Sequence, residues 1–282
     1  MGTIKEILVE AERLLAGAGV DDARRDSATL TASAISRDRT FLIAHPEYEL
    51  TERETAIARS FFARRAAREP LQQIRGVQEF FGLEFAVTPD VLIPRPETEV
   101  LVERAIELLQ GTDAARFLDI GVGSGCISIS ILHNVPGATA VAADVSPAAI
   151  AVASRNAAAI GVTDRIEFLG SDVFESVPST KFGLIVSNPP YVHPDDIGGL
   201  QPEVRDHEPL VALTDGSDGL SIIERLIAEA PRYMVPGASL LVEVGFGQSE
   251  EVLAMASADI WAAVGMLPDL QGIPRVLDAK LR

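Results

Sequence analysis

Asn188, Pro189, Pro190 and Tyr191 follow one another at the end of the apolar run LIVS and join an amide, two imino acids and a phenol. Pro190 restricts Pro189 to an extended conformation, and neither proline has an N–H, so the backbone carbonyls here lack a local donor. One such carbonyl and the side-chain oxygen of Asn188 would form a pair of acceptors for an NH2 group, with the Tyr191 ring as a flat face for a planar amide or base. Accepting both N–H bonds would orient the nitrogen and raise its electron density, as an amide requires before it attacks an electrophilic methyl group. A turn that merely ends a strand is the alternative.

A glycine loop in the stretch FLDIGVGSGCIS is the second candidate site, with Gly121, Gly123 and Gly125 between an apolar run and a helical pattern. Glycines permit a tight turn and a close backbone approach, and the N–H groups at the start of the helix are free to bind a nucleotide or a carboxylate. The spacing is G-x-G-x-G, whereas a dinucleotide fingerprint has its last glycine at the position of Cys126. The loop therefore argues against a dinucleotide-dependent oxidoreductase, and a structural turn stays open.

Two aspartates follow the next two predicted strands. Asp144 closes the strand AVAAD, where its carboxylate can accept hydrogen bonds from two vicinal ribose hydroxyls. Asp172, in GSDVF, could accept from an adenine amino group while Val173 packs on the ring. Each aspartate alone could equally be a helix cap or a solvated charge. Because ligands of α/β sheets bind outside the carboxyl ends of the strands, the placement of both at successive strand ends favours an adenosine site.

The N-terminal part of the chain has helical periodicity. Apolar residues recur at helical spacing from Ile4 to Leu15, a second helix is expected with Asp21 as its cap, and Thr51 with Glu54 forms a capping box for a third helix that ends before Pro70. We predict a helical domain over residues 1–75, for substrate docking, and a β-hairpin linker over 76–95. Four arginines of the third helix form either a solvated basic face or a surface for a protein or RNA partner: Arg59, Arg64, Arg65 and Arg68.

Residues 96–282 alternate helical patterns with short apolar runs, which is typical of an α/β domain with a mostly parallel sheet between two helical layers. The predicted strands are 116–120, 139–143, 165–169, 182–187 and 238–244, followed by two late strands. The predicted helices are 97–110, 125–133, 147–160, 220–230 and 248–256.

Composition and charge exclude several classes of protein. The 282 residues are 47% hydrophobic and 23% charged, as in a globular protein, and no apolar run reaches the roughly 18 residues of a membrane span. The net charge of −17 lies entirely in residues 77–282, which carry 12 basic and 29 acidic groups, so duplex DNA is not expected as a partner. With one cysteine, scattered histidines and no apolar leader, we expect a cytoplasmic protein without a metal site or membrane association.

The motifs together resemble a known family. DIGVGSG, Asp144, SDVF and NPPY are similar to those of class I S-adenosylmethionine-dependent methyltransferases of the Rossmann-like fold that act on amino groups. LIPRPETE before the glycine loop, PLQQIRGVQEFFGLEF, HEPLVALTDGSDGL and GIPRVLDAKL resemble the PrmC/HemK family over most of the chain. That family methylates the side-chain N5 nitrogen of the glutamine in the Gly-Gly-Gln motif of class 1 peptide chain release factors.

The resemblance implies a role for each matching residue. The methionine end of S-adenosyl-L-methionine would lie along the glycine loop, the ribose at Asp144 and the adenine at Asp172 and Val173. The cofactor set is Asp119, Gly121, Val122, Gly123, Ser124, Gly125, Asp144, Asp172, Val173 and Asn188. The catalytic and substrate-binding set is Asn188, Pro189, Pro190 and Tyr191, with Arg95 at the entrance beside Pro96 and Thr98.

The expected partner is a release factor, the expected product is S-adenosyl-L-homocysteine, and a monomer is expected. The main rival function is methylation of adenine N6 or another amino group in nucleic acid, which could use the same NPPY pocket after a base is flipped. A dinucleotide-dependent oxidoreductase and a non-catalytic nucleotide-binding module are weaker rivals. Glu243, in LLVEVG, lies near the site or only terminates its strand.

Overall fold

The computed structural model describes residues 2–111 and 115–282. Its helices are α1 Ile4–Gly17, α2 Ala23–Ala34, α3 Arg39–Ala44, α4 Glu52–Ala66, α5 Leu71–Arg75, α6 Glu99–Leu109, α7 Cys126–Asn134, α8 Pro147–Ile160, α9 Pro202–Arg205, α10 Leu210–Leu213, α11 Ser221–Glu229 and α12 Ser249–Met255. Its strands are β1 Val77–Phe80, β2 Leu83–Ala86, β3 Arg116–Ile120, β4 Thr139–Asp144, β5 Ile166–Gly170, β6 Phe182–Ser187, β7 Met234–Glu243, β8 Trp261–Pro268 and β9 Pro274–Leu281. The chain forms two compact units, Met1–Val77 with Gln201–His207, and Gln78–Leu200 with Glu208–Arg282.

The first unit is helical, as predicted. The capping box of α4 is confirmed, because Thr51 Oγ1 accepts from the N–H of Glu54 at 3.2 Å and the N–H of Thr51 donates to the Glu54 carboxylate at 2.8 Å. The predicted cap of the second helix is wrong by one residue, since α2 begins after Asp22. Apolar residues of α1, α2, α4 and α5 form one core, including Ile4, Leu30, Phe62 and Ile74.

Two of the four arginines of the predicted basic face, Arg65 and Arg68, are engaged in buried or partly buried ion pairs, whereas Arg59 is exposed. Arg65, 8% exposed, donates to Asp26 at 2.7 Å and to Glu203 at 2.7 Å. Arg68 binds the same Glu203 carboxylate through two nitrogens, both at 2.7 Å. Burial raises the pKa of Glu203, but hydrogen bonds from Arg68 and Arg65 outweigh it and lower the pKa to about 2. The charges of Arg65 and Arg68 are therefore paired within the helical unit. Their partner, Glu203, is too distant in the sequence for a local sequence pattern to reveal the pairing.

The second unit contains the predicted hairpin, β1–β2, apart from Val77, and a seven-stranded sheet in the order β5-β4-β3-β6-β7-β9-β8. The first five of these strands are parallel and β9 is antiparallel to both neighbours. Successive residues of β3 and β6 pack into different cores: Leu118 and Ile185 into one, Phe117 and Leu184 into the other. Helices therefore cover both faces, and the predicted fold class is confirmed.

The connections of this sheet create a switch point at the carboxyl ends of its central strands. From β3 the chain moves outward through β4 and β5, then returns to the other side of β3 as β6. Strand order reverses between β3 and β6, and in open α/β sheets ligands bind at the carboxyl ends beside such a reversal. The segments that leave β3, β4, β5 and β6 carry the candidate residues.

Candidate active site

A cavity of about 320 Å³ lies at the carboxyl ends of these strands, within the range of roughly 300–1,000 Å³ typical of small-molecule sites. Eleven of the predicted site residues line it: Arg95, Gly121, Val122, Gly123, Ser124, Asp144, Asp172, Val173, Asn188, Pro189 and Pro190. Thr98 lines it as well. Asp119, Gly125 and Tyr191 lie outside the lining. The structure thus brings together segments from four strand ends that the sequence separates.

The glycine loop is held by backbone hydrogen bonds to the neighbouring strand β4. The N–H groups of Gly121 and Val122 both donate to the carbonyl of Ala143, at 2.8 and 3.0 Å. The N–H of Gly123 donates to Oδ2 of Asp144 at 2.9 Å. Burial raises the pKa of Asp144, and the N–H donors around it offset part of that effect. The loop and the aspartate therefore form one hydrogen-bonded wall of the cavity.

Gly125 has a packing role at the start of α7. Its φ is +83°, and a Cβ atom there would lie 2.6 Å from Cδ1 of Ile129 and 3.2 Å from Cβ of Ala153. Glycine adopts this φ without strain and lets the start of α7 lie close to Ala153 of α8. Behind the loop, buried Asn156 donates to the carbonyl of Ser124 at 2.8 Å and exchanges hydrogen bonds with the backbone of Ala86. The sequence contains no local pattern that identifies Asn156 as this clamp.

Asp119 is completely buried beneath the loop. Ser128 Oγ donates to its Oδ2, and Oδ1 has no hydrogen-bond partner. Burial is the main cause that raises its pKa to about 7. Its position supports the loop from below, and its predicted contact with a cofactor stays a prediction.

The segment after β5 has a strained backbone at the cavity wall. Val173 has a φ of +46°, which is rare for a β-branched residue. Ser171 Oγ donates to the Val173 carbonyl at 3.1 Å and accepts from the N–H of Ser176 at 3.0 Å, which holds this conformation. Arg225 donates to Oδ1 of Asp172 at 2.8 Å. Strained residues held by their surroundings occur frequently in ligand sites.

Asn188 lies at the end of β6, where Ser187 Oγ donates to the carbonyl of Ile120 at 2.7 Å and joins the ends of β6 and β3. Nδ2 of Asn188 donates to Thr98 Oγ1 at 3.2 Å, and Thr98 Oγ1 donates to Oε2 of Glu243 at 2.6 Å. The Tyr191 hydroxyl donates to the other carboxylate oxygen of Glu243 at 3.2 Å. Glu243 is therefore connected to the site through two hydroxyls. Tyr191 packs against the core, and its predicted contact with a substrate stays a prediction.

Arg95 faces the cavity while its charge is paired. Nη2 of Arg95 donates to Oε1 of Glu208 at 2.6 Å, and Glu208 also accepts from the N–H of Ile93 at 3.2 Å. Glu208, which belongs to the HEPLVAL segment, is a second residue that sequence reasoning missed. Pro96 is exposed and lies outside the cavity lining.

The charge of the cavity distinguishes between ligands. Its charged lining residues are Asp90, Asp144, Asp172, Asp215 and the paired Arg95. An anionic wall suits a cationic sulfonium and disfavours the pyrophosphate of a dinucleotide. The carboxylates of Asp144 and Asp172 are available to hydroxyl or amino donors. Val145 and Val173 offer apolar surface for a flat ring. These residues fit S-adenosylmethionine.

Cys126 also lines the cavity, but burial is the main cause that raises the pKa of its thiol to about 12, so it is not an activated nucleophile. Within residues 2–111 and 115–282, no three His, Cys, Asp or Glu side chains are grouped as metal ligands would be. Over the same residues, no helix has the length and hydrophobicity needed to cross a membrane.

This sheet order, with a glycine loop after the central strand and an aspartate at the end of the next, defines a Rossmann-like class I methyltransferase. Two solved structures share the fold. A methyltransferase from Pyrococcus furiosus aligns with a TM-score of 0.53 at 16% identity, over 80% of this chain and 98% of that one. An rRNA methyltransferase from T. thermophilus, solved with AdoMet and guanosine, aligns with a TM-score of 0.52 at 20% identity, over 73% of this chain and 50% of that one.

Sequence comparisons identify the family. The PrmC N-terminal domain model matches residues 6–76, and the methyltransferase small domain model matches residues 97–199. The release factor glutamine methyltransferase of Geobacter sulfurreducens is 44% identical over 99% of this chain and 97% of its own length. That of Cereibacter sphaeroides is 43% identical over 95% and 94%. The chain belongs to the release factor glutamine methyltransferase family.

Proposed function

We propose that this protein transfers a methyl group from S-adenosyl-L-methionine to the side-chain amide nitrogen (N5) of the glutamine in the Gly-Gly-Gln motif of class 1 peptide chain release factors, and that the cavity is its active site. One observation carries the assignment of the site. Asn188, Pro189 and Pro190, which would provide a side-chain oxygen and a proline carbonyl as acceptors for an NH2 group, line the same cavity as the glycine loop and the two aspartates. The names of the full-length relatives support the choice of substrate.

The cofactor would be held by the wall already described. The loop from Gly121 to Gly125 would border the methionine end, Asp144 would accept from the ribose hydroxyls, and Asp172 would accept from the adenine amino group, with Val173 on the ring. Bound S-adenosylmethionine supplies an electrophilic methyl group on a sulfonium centre, and S-adenosyl-L-homocysteine is the product.

The protein's own contribution is positioning of the nitrogen. Asn188 Oδ1 and a proline carbonyl would accept both N–H bonds of the glutamine amide, which orients the nitrogen and raises its electron density. Good positioning contributes up to about 7–11 kcal/mol to such a reaction. No strong base is needed before the attack. The amide nitrogen becomes acidic once it is methylated, so its proton can leave after the transfer.

The partner and the setting complete the proposal. The substrate is a protein in the cytoplasm, the enzyme acts as a monomer, and DNA is not a substrate. The excess of acidic over basic groups in residues 77–282 would repel a duplex, since binding to DNA depends on neutralising phosphates.

Mass spectrometry of a release factor incubated with the protein and the methyl donor tests the proposal. We expect one methyl group on the Gly-Gly-Gln glutamine and none on a release factor whose glutamine is replaced by alanine. With a labelled methyl donor at low salt concentration, an adenine-containing DNA should incorporate no label. Label in the DNA and none in the release factor would leave the fold assignment standing and overturn the substrate.

A further inference from the structure

We propose that Glu243 is a positioning residue for methyl transfer: acting through Thr98, it fixes the side-chain amide of Asn188 with the oxygen free to accept from the substrate. The inference rests on the proposed function and deepens it. It concerns a hydrogen-bonded chain that runs from a buried carboxylate to the residue at the cavity wall.

The chain of contacts lies almost entirely away from solvent. Glu243, the last residue of β7, and Thr98, just before α6, are each only 2% exposed. Thr98 Oγ1 lies 2.6 Å from Glu243 Oε2 and 3.2 Å from Asn188 Nδ2. Asn188 in turn lines the cavity. Glu243 is 145 residues away from Thr98 in the sequence. Its buried side chain thus contacts the site through the single hydroxyl of Thr98.

Counting protons fixes the direction of each hydrogen bond. An ionised carboxylate only accepts, and a threonine hydroxyl has one proton to donate. Thr98 therefore donates its hydroxyl proton to Glu243. A lone pair of the Thr98 oxygen must then accept the Asn188 N–H. With the nitrogen turned to Thr98, Oδ1 of Asn188 is left to accept from an incoming NH2 group.

The opposite orientation of the Asn188 amide is penalised twice. It would place Oδ1 of Asn188 against the Thr98 oxygen with no proton between them, and it would present N–H donors to a substrate that is itself a donor. A buried donor or acceptor left without a partner keeps its full desolvation cost. Glu243 therefore selects the orientation that the reaction needs.

Tyr191 supports the same arrangement. Its hydroxyl donates to Oε1 of Glu243, so both carboxylate oxygens accept from a hydroxyl. Burial, and then the negative charge of Glu243, raise the pKa of Tyr191, which keeps the phenol protonated as a donor. Burial is the main influence on Glu243 and raises its pKa, while the hydrogen bonds from Thr98 and Tyr191 and the positive charge of Arg275 oppose it and favour the ionised form.

Substitutions that keep shape but change the proton pattern test the proposal. In Glu243→Gln the new amide can donate to Thr98, whose proton is then free to bond Asn188 Oδ1, so both orientations of Asn188 become accessible. We expect kcat for release factor methylation to fall at least about tenfold, with the Kd for S-adenosylmethionine changed less than about threefold. Thr98→Val should lose a similar amount, Thr98→Ser should restore most of it, and Glu250→Gln, exposed on α12, is the control.

The side-chain amide of Asn188 gives a readout that does not depend on the substrate. In protein labelled with 15N-asparagine, its NH2 resonance is identified by its absence from Asn188→Ala. We expect it to move in Glu243→Gln and Thr98→Val and to stay near its wild-type position in Thr98→Ser. Unmoved resonances, or parallel losses of kcat and cofactor binding, overturn the positioning role. A wild-type protein that methylates no release factor overturns the proposed function, while the resonances still decide the inference.

Discussion

The backbone N–H of Gly123 donates a hydrogen bond of 2.9 Å to Oδ2 of Asp144. The other carboxylate oxygen accepts from the N–H of Ser146 at 2.8 Å. Each carboxylate oxygen can accept a further bond, so Asp144 can hold the glycine loop and bind a ribose at the same time. A substitution here affects both roles, and two variants are needed to separate them.

Asp144→Ala should weaken S-adenosylmethionine binding at least about tenfold, because a hydrogen bond to a charged group contributes about 1.5–3 kcal/mol. Asp144→Asn removes the charge and keeps one oxygen, for the N–H of either Gly123 or Ser146, so its affinity should lie between those of the wild type and the alanine variant. Calorimetric titration measures both. An alanine variant that binds like the wild type would remove Asp144 from the site.

Asn188→Ala should separate chemistry from binding. If Asn188 mainly accepts from the reacting amide, most of the turnover disappears while cofactor affinity falls much less. Single-turnover methylation of a release factor, together with calorimetry, distinguishes the two quantities. Proportional losses would instead assign Asn188 to the cofactor.

The parallel strands were predictable because each is a short, largely apolar run between helical patterns. The predicted limits 116–120 and 182–187 agree with β3 and β6 at both ends. β7 begins at Met234, four residues before the predicted start. Pro236 and Gly237 interrupt the apolar pattern there, and a register shift opposite Phe182 and Leu184 accommodates this segment in the strand. The predicted helix 97–110 begins as a 3-10 turn over Pro96–Thr98.

The candidate site was predictable only where its residues follow strand ends. Asp144 and Asn188 are located by that rule, but the direction of a side chain is not, so the burial of Asp119 and the packing of Tyr191 emerge only from the structure. Glu243 and Glu208 meet Thr98 and Arg95 across separations of 145 and 113 residues. Contacts this distant follow from the topology of the sheet and leave no local pattern.

The Glu203 carboxylate should stabilise the helical unit in a pH-dependent way. Its pKa in the folded protein is about 2, below the ordinary 4.5, so the stabilisation is present above pH 4.5 and is lost as the pH falls towards 2. Glu203→Gln should lower the protection of α4 amides against hydrogen exchange by up to about 3 kcal/mol at pH 7, with a smaller difference at pH 3. Glu10→Gln removes an exposed partner of Arg59 and should cost less than about 1 kcal/mol. Equal effects of the two substitutions would contradict the assignment.

The Asp119 carboxyl should have the opposite pH dependence. Its pKa is raised to about 7 from an ordinary 3.8, so the folded state retains a proton that the unfolded chain releases. The stabilisation is complete below pH 3.8 and is lost as the pH rises through 7. Asp119→Asn keeps the shape and never ionises, so its unfolding midpoint relative to the wild type should rise between pH 5 and pH 8. Trp261, the single tryptophan and a buried residue of the same unit, reports the transition by fluorescence. A difference between variant and wild type that stays constant over this range would mean that Asp119 is ionised in the folded protein throughout.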